Sequence, residues 1–354
     1  MTRFTLSGYY GYGNAGDEAV LAGLVKGFRD ARPGGGLELV ALSGNPPETG
    51  KMHGIYAAHR YKAGPLLRAI ARTDVFLSGG GSLLQDVTSA HGIFYYLGVV
   101  RLAQMLGKPT MFIAQGIGPL RLPRSRRLVA SVANRLNAVT VRDSDSAALL
   151  REIGVTKPTV EVTADPALLL GLDCPAPRGV GAFGVALRGW PGQEGLAGQV
   201  AEACGQSLRG NRALLFPMQP QSDKSVGEQF AAKWHQENEA VMSSPEIGLP
   251  ALLANIASCE MMIGMRLHAL IIAAACGIPS VALSYDPKVA AFMQSSGQGD
   301  AVVDLTKPDP NTLTALIGQV WAERAQRAEA LQAALPHLRE LAARNVSAAL
   351  GLIP

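Results

Sequence analysis

The chain has 354 residues, of which 48% are hydrophobic and 17% charged, with a formal net charge of +4. This length exceeds the usual single domain and predicts two. The composition excludes a disordered chain and does not fit a nucleic-acid binder, while the mild positive charge is compatible with anionic substrates or an anionic membrane surface.

Strand-like and helix-like runs alternate from the start. Residues 3–7 read as a strand and 18–31 as an amphipathic helix, followed by a strand at 37–42 and a helix at 63–72. The strand 75–78 enters a glycine run. A helix at 95–106, a strand at 110–114, a helix at 125–136 and a strand at 138–141 follow, with Asp143 or Ser144 capping the next helix. A strand at 159–162 closes this half. Residues 172–181 hold two prolines and two glycines without periodicity and read as a linker. Alternation then resumes with strands at 183–187, 213–216 and 240–242 and helices at 198–208, 224–235 and 249–258. An apolar strand ends at Gly264, an apolar helix follows, and strands at 280–283 and 301–304 come next. Residues 311–350 form an alanine-rich helical tail, expected to break or kink near Pro336. Strands alternating with helices imply parallel sheets covered on both faces.

Cys174, Cys204, Cys259 and Cys276 lack metal-ligand or redox spacing and read as buried or idle thiols of a reducing cytosol. The six histidines show no ligand pattern, so no metal and no cofactor are expected. No basic region precedes a long apolar core at the N-terminus, and the most apolar run, 267–276, is too short to span a bilayer. The expectation is a soluble, cytoplasmic protein.

Three glycine-rich loops end strands in the first half. Residues 11–16, GYGNAG, match a dinucleotide fingerprint between a strand and a helix. The next strand ends in Ser43, Gly44 and Asn45, without the acid that would hold a ribose. The loop is therefore either a tight structural turn or one that lets backbone approach a sugar or phosphate, through Gly13 and Asn14. Asp17 and Glu18 follow it. Carboxylates are common in a first helical turn, and they could equally bind an acceptor or accept protons from its hydroxyls. Gly79, Gly80, Gly81 and Ser82 end a strand, with Gln85 and Asp86 just beyond; so many glycines suggest close approach of a ligand or of the other domain. Gln115 and Arg142 also end strands, and the set forms a neutral, hydrogen-bonding wall suited to a carbohydrate.

Cations gather at strand ends of the second half. Arg188 follows one strand, Arg266 and His268 another, and Lys288 a third, while Gln219 and Asp223 follow 213–216. A helix N-terminus carrying Arg266 and His268 is a seat for an anion. Arg121, Arg124, Arg126 and Arg127 open a helix as a basic cluster, either a solvated face or a contact for a lipid diphosphate or anionic headgroups.

Residues 264–270, GMRLHAL, followed by 284–289, SYDPKV, resemble the polysaccharide pyruvyl transferase family, and within it the CsaB type. Residues 8–18, GYYGYGNAGDE, 79–86, GGGSLLQD, and 115–119, QGIGP, resemble the same family, so the likeness runs over nearly the whole chain. It implies a GT-B-like fold of two Rossmann-like α/β domains facing a central cleft. The first domain, 1–172, would bind the acceptor. After a linker at 173–181, the second domain, 182–310, would bind phosphoenolpyruvate, and the tail 311–354 would cross back to the first. The activity implied is formation of a pyruvate ketal on a sugar of a cell-wall polymer precursor, of N-acetylmannosamine type, on a polyprenyl diphosphate carrier, in the service of S-layer anchoring. Such an enzyme would work at the inner membrane face without a transmembrane helix. Arg188, Arg266, His268, Lys288, Gln219 and Asp223 would hold the donor, with His268 as general acid. Asp17 would act catalytically among the acceptor ligands Gly13, Asn14, Glu18, Gly81, Ser82, Asp86, Gln115 and Arg142. Two alternatives stay open: a nucleotide-sugar glycosyltransferase of the same architecture, with Asp286 or Asp304 on the ribose, and a non-catalytic carbohydrate-binding protein.

Overall fold

The computed structural model describes residues 1–87, 90–171, 181–192, 194–234, 240–243, 248–306 and 310–353. The linker expected at 173–181 lies outside the described residues except for Gly181. The chain divides into two compact units, Met1–Leu170 with Arg339–Pro354, and Gly171–Leu338.

The first unit is built on seven strands: β1 (Thr2–Tyr10), β2 (Leu37–Ser43), β3 (Tyr56–His59), β4 (Val75–Leu84), β5 (Thr110–Ile117), β6 (Ala138–Val141) and β7 (Val160–Val162). Their order is β3-β2-β1-β4-β5-β6-β7, all parallel, with Phe4 opposite Val75 and Ser7 opposite Ser78. The helices are α1 (Ala15–Ala31), α2 (Pro46–His53), α3 (Ala63–Ala71), α4 (Ala90–Met105), α5 (Pro123–Ala133) and α6 (Ser144–Glu152). Every residue of β5 is buried, as a central parallel strand covered on both faces requires. Phe28 of α1 packs on Phe4 of β1 at 4.9 Å between ring centroids.

Sequence periodicity missed α2 and β3. Two prolines open α2, and Thr49 and His53 are its buried residues, so no apolar stripe marks it. β3 is a four-residue edge strand without a fully buried position. β4 also runs farther than expected, through its glycines to Leu84. Gly79 there has φ 152°, and a Cβ on it would stand 2.0 Å from the carbonyl oxygen of Ile113. The glycine is thus needed for the approach of β5 within the same unit.

The second unit carries β8 (Ala182–Ala186), α7 (Leu196–Ser207), β9 (Arg212–Leu215), α8 (Pro220–Lys233), β10 (Ala240–Met242), α9 (Gly248–Ala257), β11 (Met261–Gly264), α10 (Leu267–Ala275), β12 (Ser280–Ser284), α11 (Pro287–Ser295) and β13 (Val302–Asp304). The strand order is β10-β9-β8-β11-β12-β13, again all parallel. Helix α10 is apolar nearly all round because it is buried from Ala269 to Ala275. Cys204 and Cys259 are free and buried. Cys276 is disulfide-bonded, against the expectation of idle thiols.

The tail forms α12 (Pro310–Ala322) and α13 (Arg324–Leu350), divided at Glu323 and not at Pro336. Pro336 lies inside α13 on its exposed side, where water can take the carbonyl left without a donor. No helix among the described residues is long and apolar enough to cross a membrane.

Asn345 fixes the end of α13 onto β6 and β7. Its carboxamide oxygen accepts from the hydroxyls of Thr140 at 2.6 Å and Thr163 at 2.8 Å, and its nitrogen donates to the Ala164 and Ala342 carbonyls, each at 2.9 Å. The side chain is wholly buried. Asn345→Leu would take one partner from each hydroxyl and the side-chain donor from the Ala164 carbonyl, and should cost about 2–4 kcal/mol in urea unfolding. Ser347→Ala, on the exposed side of the same helix, should leave the midpoint unchanged.

Candidate active site

Strand order reverses between β1 and β4 in the first sheet and between β8 and β11 in the second. At such switch points neighbouring connections leave in opposite directions and open a crevice at the carboxyl edge of the strands. The loop after β1 and the glycine run of β4 flank the first. Arg188 and Arg266 flank the second.

Around the first switch point most predicted polar groups are engaged in holding their own loops. Asn14 caps α1 and accepts from the Gly16 N–H at 3.0 Å. Glu18 accepts from the Gly11 N–H at 2.7 Å and meets His53 Nε2 at 2.8 Å, both side chains being buried. That bridge sets the glycine loop, and Gly13 is exposed at its tip. Asp86 accepts from the backbone N–H groups of Arg121 and Leu122, which lead into α5. Burial acts to raise its pKa, but these N–H groups outweigh it and hold the carboxyl below its ordinary range. Gln115 donates to the Gly81 and Gly116 carbonyls, each at 2.9 Å. Arg142 pairs with Asp165 at 2.8 Å and donates to Ser82 Oγ at 2.7 Å, with both members of the ion pair buried.

Asp17 is also buried, beside Gly81. With burial as the larger cause, its carboxylate helps raise the hydroxyl pKa of Tyr9 and Tyr10. These tyrosines therefore stay protonated at neutral pH.

At the second switch point Arg266 is the N-cap of α10 with extended backbone, ψ 112°, and His268 is the second residue of the helix. The pair therefore sits on a loop-to-helix junction, the arrangement that lets two residues so close in sequence turn toward one side. Arg266 Nε donates to Asp223 Oδ2 at 2.8 Å, and its Nη2 contacts Asp223 Oδ1 and donates to Ser222 Oγ at 2.8 Å. Asp223 is fully buried and also accepts from the Gln219 N–H at 2.9 Å. It is therefore an orienting partner for Arg266 and not itself a group for an anion. Lys288 lies in the first turn of α11, where Asp286 caps its N–H at 3.0 Å.

Arg188 is held differently. Its guanidinium stacks 5.3 Å from the rings of both Trp190 and Tyr285, donates to the Tyr285 hydroxyl at 3.1 Å, and leaves a buried Nε without an acceptor. No carboxylate pairs with it among the described residues. A cavity of about 410 Å³ opens here, lined by Arg188, Trp190, Ser222 and Met265 among others. A hollow of about 450 Å³ in the first unit, lined by Phe28, Arg29, Leu37 and Tyr56, opens at the amino ends of β2 and β3, away from these groups. Among the described residues no cluster of His, Cys, Asp or Glu could hold a metal ion.

Sequence reasoning missed Asp165, His53, Ser222, Trp190 and Tyr285, together with a tyrosine cluster around Arg60. Trp190, two residues past a strand-end arginine, carried a usable signal. The others are joined only by the fold.

Breaking a buried pair leaves an uncompensated charge. Asp223→Ala should therefore lower stability by about 3–5 kcal/mol in urea unfolding, because Arg266 loses its counter-charge. Arg188→Met, which removes a cation held by rings and one hydroxyl, should change it by about 1 kcal/mol or less. A second measurement concerns Asp86. A lowered carboxyl pKa contributes stability above the unfolded value of about 4, and that contribution is lost as pH falls through the folded value. Asp86→Asn should flatten this acid limb in unfolding curves taken between about pH 2 and 6.

Known proteins share this fold. AmsJ of Erwinia amylovora, an amylovoran biosynthesis protein, is 23% identical over 265 residues, which is 66% of this chain. The aligned part spans 61% of that relative's own length. HepE of Anabaena, solved with UDP and glucose, superposes with a TM-score of 0.64 at 13% identity, over 99% of this chain and all of that one. The UDP-GlcNAc 2-epimerase of Neisseria meningitidis, solved with UDP-GlcNAc, gives 0.55 at 12% identity over 94% of each chain. These likenesses establish a GT-B-like fold. The family model of polysaccharide pyruvyl transferases matches residues 14–287, from the first glycine loop to the start of α11. The chain belongs to the polysaccharide pyruvyl transferase family.

Proposed function

We propose that the chain transfers pyruvate from phosphoenolpyruvate to a sugar of a cell-wall polysaccharide precursor, forming a cyclic ketal and releasing phosphate. The observation that carries this reading is the second switch point. Arg188, without a carboxylate partner, stands there beside Arg266, whose fork is oriented by Asp223, and beside His268 at a helix start. Two guanidiniums suit a donor with a carboxylate and a phosphate: Arg188 faces no carboxylate among the described residues, and Arg266, with Nε and Nη2 bonded to Asp223 and Ser222, keeps its Nη1 to donate. Lys288 at the start of α11 adds a further cation to this set.

The chemistry assigned to these groups balances. His268 delivers a proton to the methylene carbon of the donor, making it a methyl group. A sugar hydroxyl oxygen adds to the central carbon. The bond from that carbon to the bridging phosphate oxygen breaks, and the second hydroxyl oxygen closes the ketal. Of the two hydroxyl protons, one replaces that delivered to the methylene and the other leaves with phosphate. The guanidiniums stabilise the departing charge. Asp17 is assigned to the acceptor hydroxyls, with Gly13, Gly81 and Ser82 near the same edge of the first unit.

The finer reading is a CsaB-type enzyme. Its acceptor is an N-acetylmannosamine-type residue on a polyprenyl diphosphate, within a secondary cell-wall polymer that anchors an S-layer. The protein would act in the cytoplasm, peripherally at the inner membrane face, with the exposed Arg121, Arg124 and Arg127 turned to headgroups. Asp286 and Asp304, candidates for a nucleotide ribose, have one carboxylate oxygen each in a local cap or turn, on the Lys288 and Thr306 N–H groups.

The test is incubation with phosphoenolpyruvate or a panel of nucleotide sugars, reading phosphate release and product mass. Ketal formation with phosphoenolpyruvate alone is expected; glycosyl transfer from a nucleotide sugar would replace this reading. Arg188→Ala should weaken phosphoenolpyruvate binding about ten- to a hundredfold by calorimetry. His268→Gln should lower turnover by about 10²-fold or more with a smaller change in donor affinity. Asp17→Asn should spare donor binding and slow turnover on the acceptor.

A further inference from the structure

Arg60 is only 2% exposed, yet no carboxylate pairs with it among the described residues and its Nε has no acceptor. Its Nη1 donates to the Gly8 carbonyl at 2.7 Å. The rest of its surroundings are rings. Tyr95, Tyr96, Tyr61 and Tyr12 lie with centroids 4.4, 5.0, 5.3 and 5.5 Å from the guanidinium carbon. Tyr9 stacks on Tyr12 at 4.5 Å, and Tyr95 meets Tyr61 edge-on at 5.2 Å.

These rings come from three connections that leave the sheet at its carboxyl edge. Tyr12 follows β1, Tyr61 follows β3, and Tyr95 and Tyr96 lie on α4, which follows β4. Two of the three strands flank the switch point. Tyr61 is nevertheless 64% exposed. A single exposed aromatic needs no explanation. This one is held from beneath by a cation, from one side by Tyr95, and through its backbone N–H by His59 Nδ1 at 3.2 Å. Ordering a flat ring costs entropy, and here that cost is met before any ligand arrives. Tyr9, stacked on Tyr12, has its hydroxyl pKa raised by burial and then by the carboxylate of Asp17.

We propose that the tyrosines carried on Arg60 are a sugar-binding subsite, in which a pyranose ring stacks on the open face of Tyr61. Neutral phenols suit a neutral polyhydroxylated ligand: burial, chiefly, holds the Tyr9 and Tyr95 hydroxyls protonated. An anion does not fit, because the guanidinium is covered by its own rings. The subsite rests on the reading of the first unit as the acceptor side. It adds groups outside the polar wall that the sequence offered, most of which is bonded within the unit.

The experiment uses the full chain without donor, so that it reads sugar contact and not turnover. Saturation-transfer NMR is recorded with the methyl glycosides of N-acetylmannosamine and glucose, and with uridine as the other flat candidate. Ring C–H protons of a glycoside should saturate with the wild-type chain and with Tyr61→Trp. Tyr61→Ala should weaken that binding about tenfold, the scale of one lost aromatic contact. Tyr56→Ala, equally exposed at the amino end of β3, should change nothing. Phosphoenolpyruvate affinity by calorimetry should be the same in all four proteins. Glycoside contact that survives in Tyr61→Ala overturns the subsite, as does its absence from the wild type or a response from uridine alone. If glycoside contact depends on Tyr61 but phosphoenolpyruvate yields no ketal, the subsite stands and the assigned reaction fails.

Discussion

A guanidinium removed from water must be answered by something, and the choice of answer divides this molecule's arginines by role. Arg142 and Arg266 are answered by the buried carboxylates Asp165 and Asp223. Such pairs are close to neutral as units and hold loops in place. Arg60 and Arg188 are answered by aromatic faces, one carbonyl or one hydroxyl. Rings offset only part of a full charge, so neither of these two is neutralised as a carboxylate pair is. The same division occurs in each unit, with one carboxylate-paired arginine and one ring-held arginine at the strand ends. It also separates Arg188, which has no carboxylate partner among the described residues, from Arg266, whose geometry Asp223 imposes.

The parallel sheets explain why these groups collect where they do. Every connection that can face a ligand leaves from the carboxyl edge, and the reversal of strand order opens that edge at one place per sheet. The irregularities cluster there as well. Register shifts occur at Ser7/Tyr10 in β1, Gly81/Leu84 in β4 and Phe112/Gln115 in β5. Ala114, in the last of these, has φ 44°, a conformation that costs a residue with a Cβ about 1 kcal/mol or more. Its N–H is held by Thr140 Oγ1 at 2.8 Å, the hydroxyl that in turn donates to Asn345. The strain of the strand end is thus supported by the helix packed behind it.

The alternation of apolar runs made the two parallel sheets legible, because strands buried on both faces read as continuous apolar segments. What escaped was short or polar. α2 begins with two prolines and buries a threonine and a histidine, and β3 is a four-residue edge. At the site, residue type and sequence position placed Arg188, Arg266 and Lys288 at the carboxyl ends of strands, where the structure also has them. They could not reveal that Glu18 faces His53, that Asp86 holds the backbone before α5, or that Gly79 answers Ile113. Each of those facts joins segments far apart in sequence, and a polar residue looks the same whether it faces a ligand or a neighbouring loop. The same blindness hid Arg60, an ordinary surface residue by composition and one of the largest wholly buried side chains in fact.

Polar groups that are satisfied within the protein set shape; those with capacity left over set chemistry. By that criterion the hydrogen-bonding wall of the first unit is mainly scaffold. Glu18 and Asn14 fix the loop after β1, while Gln115 and Arg142 fix the ends of β4, β5 and β6. A rigid scaffold lets a small number of groups discriminate, since the cost of ordering them is met on folding and not on binding. The tyrosines on Arg60 and the stack of Trp190, Arg188 and Tyr285 are the surfaces this scaffolding leaves to present. Both combine an apolar face with a hydroxyl or a charge, so each can hold a ligand by contact area and orient it by a polar group.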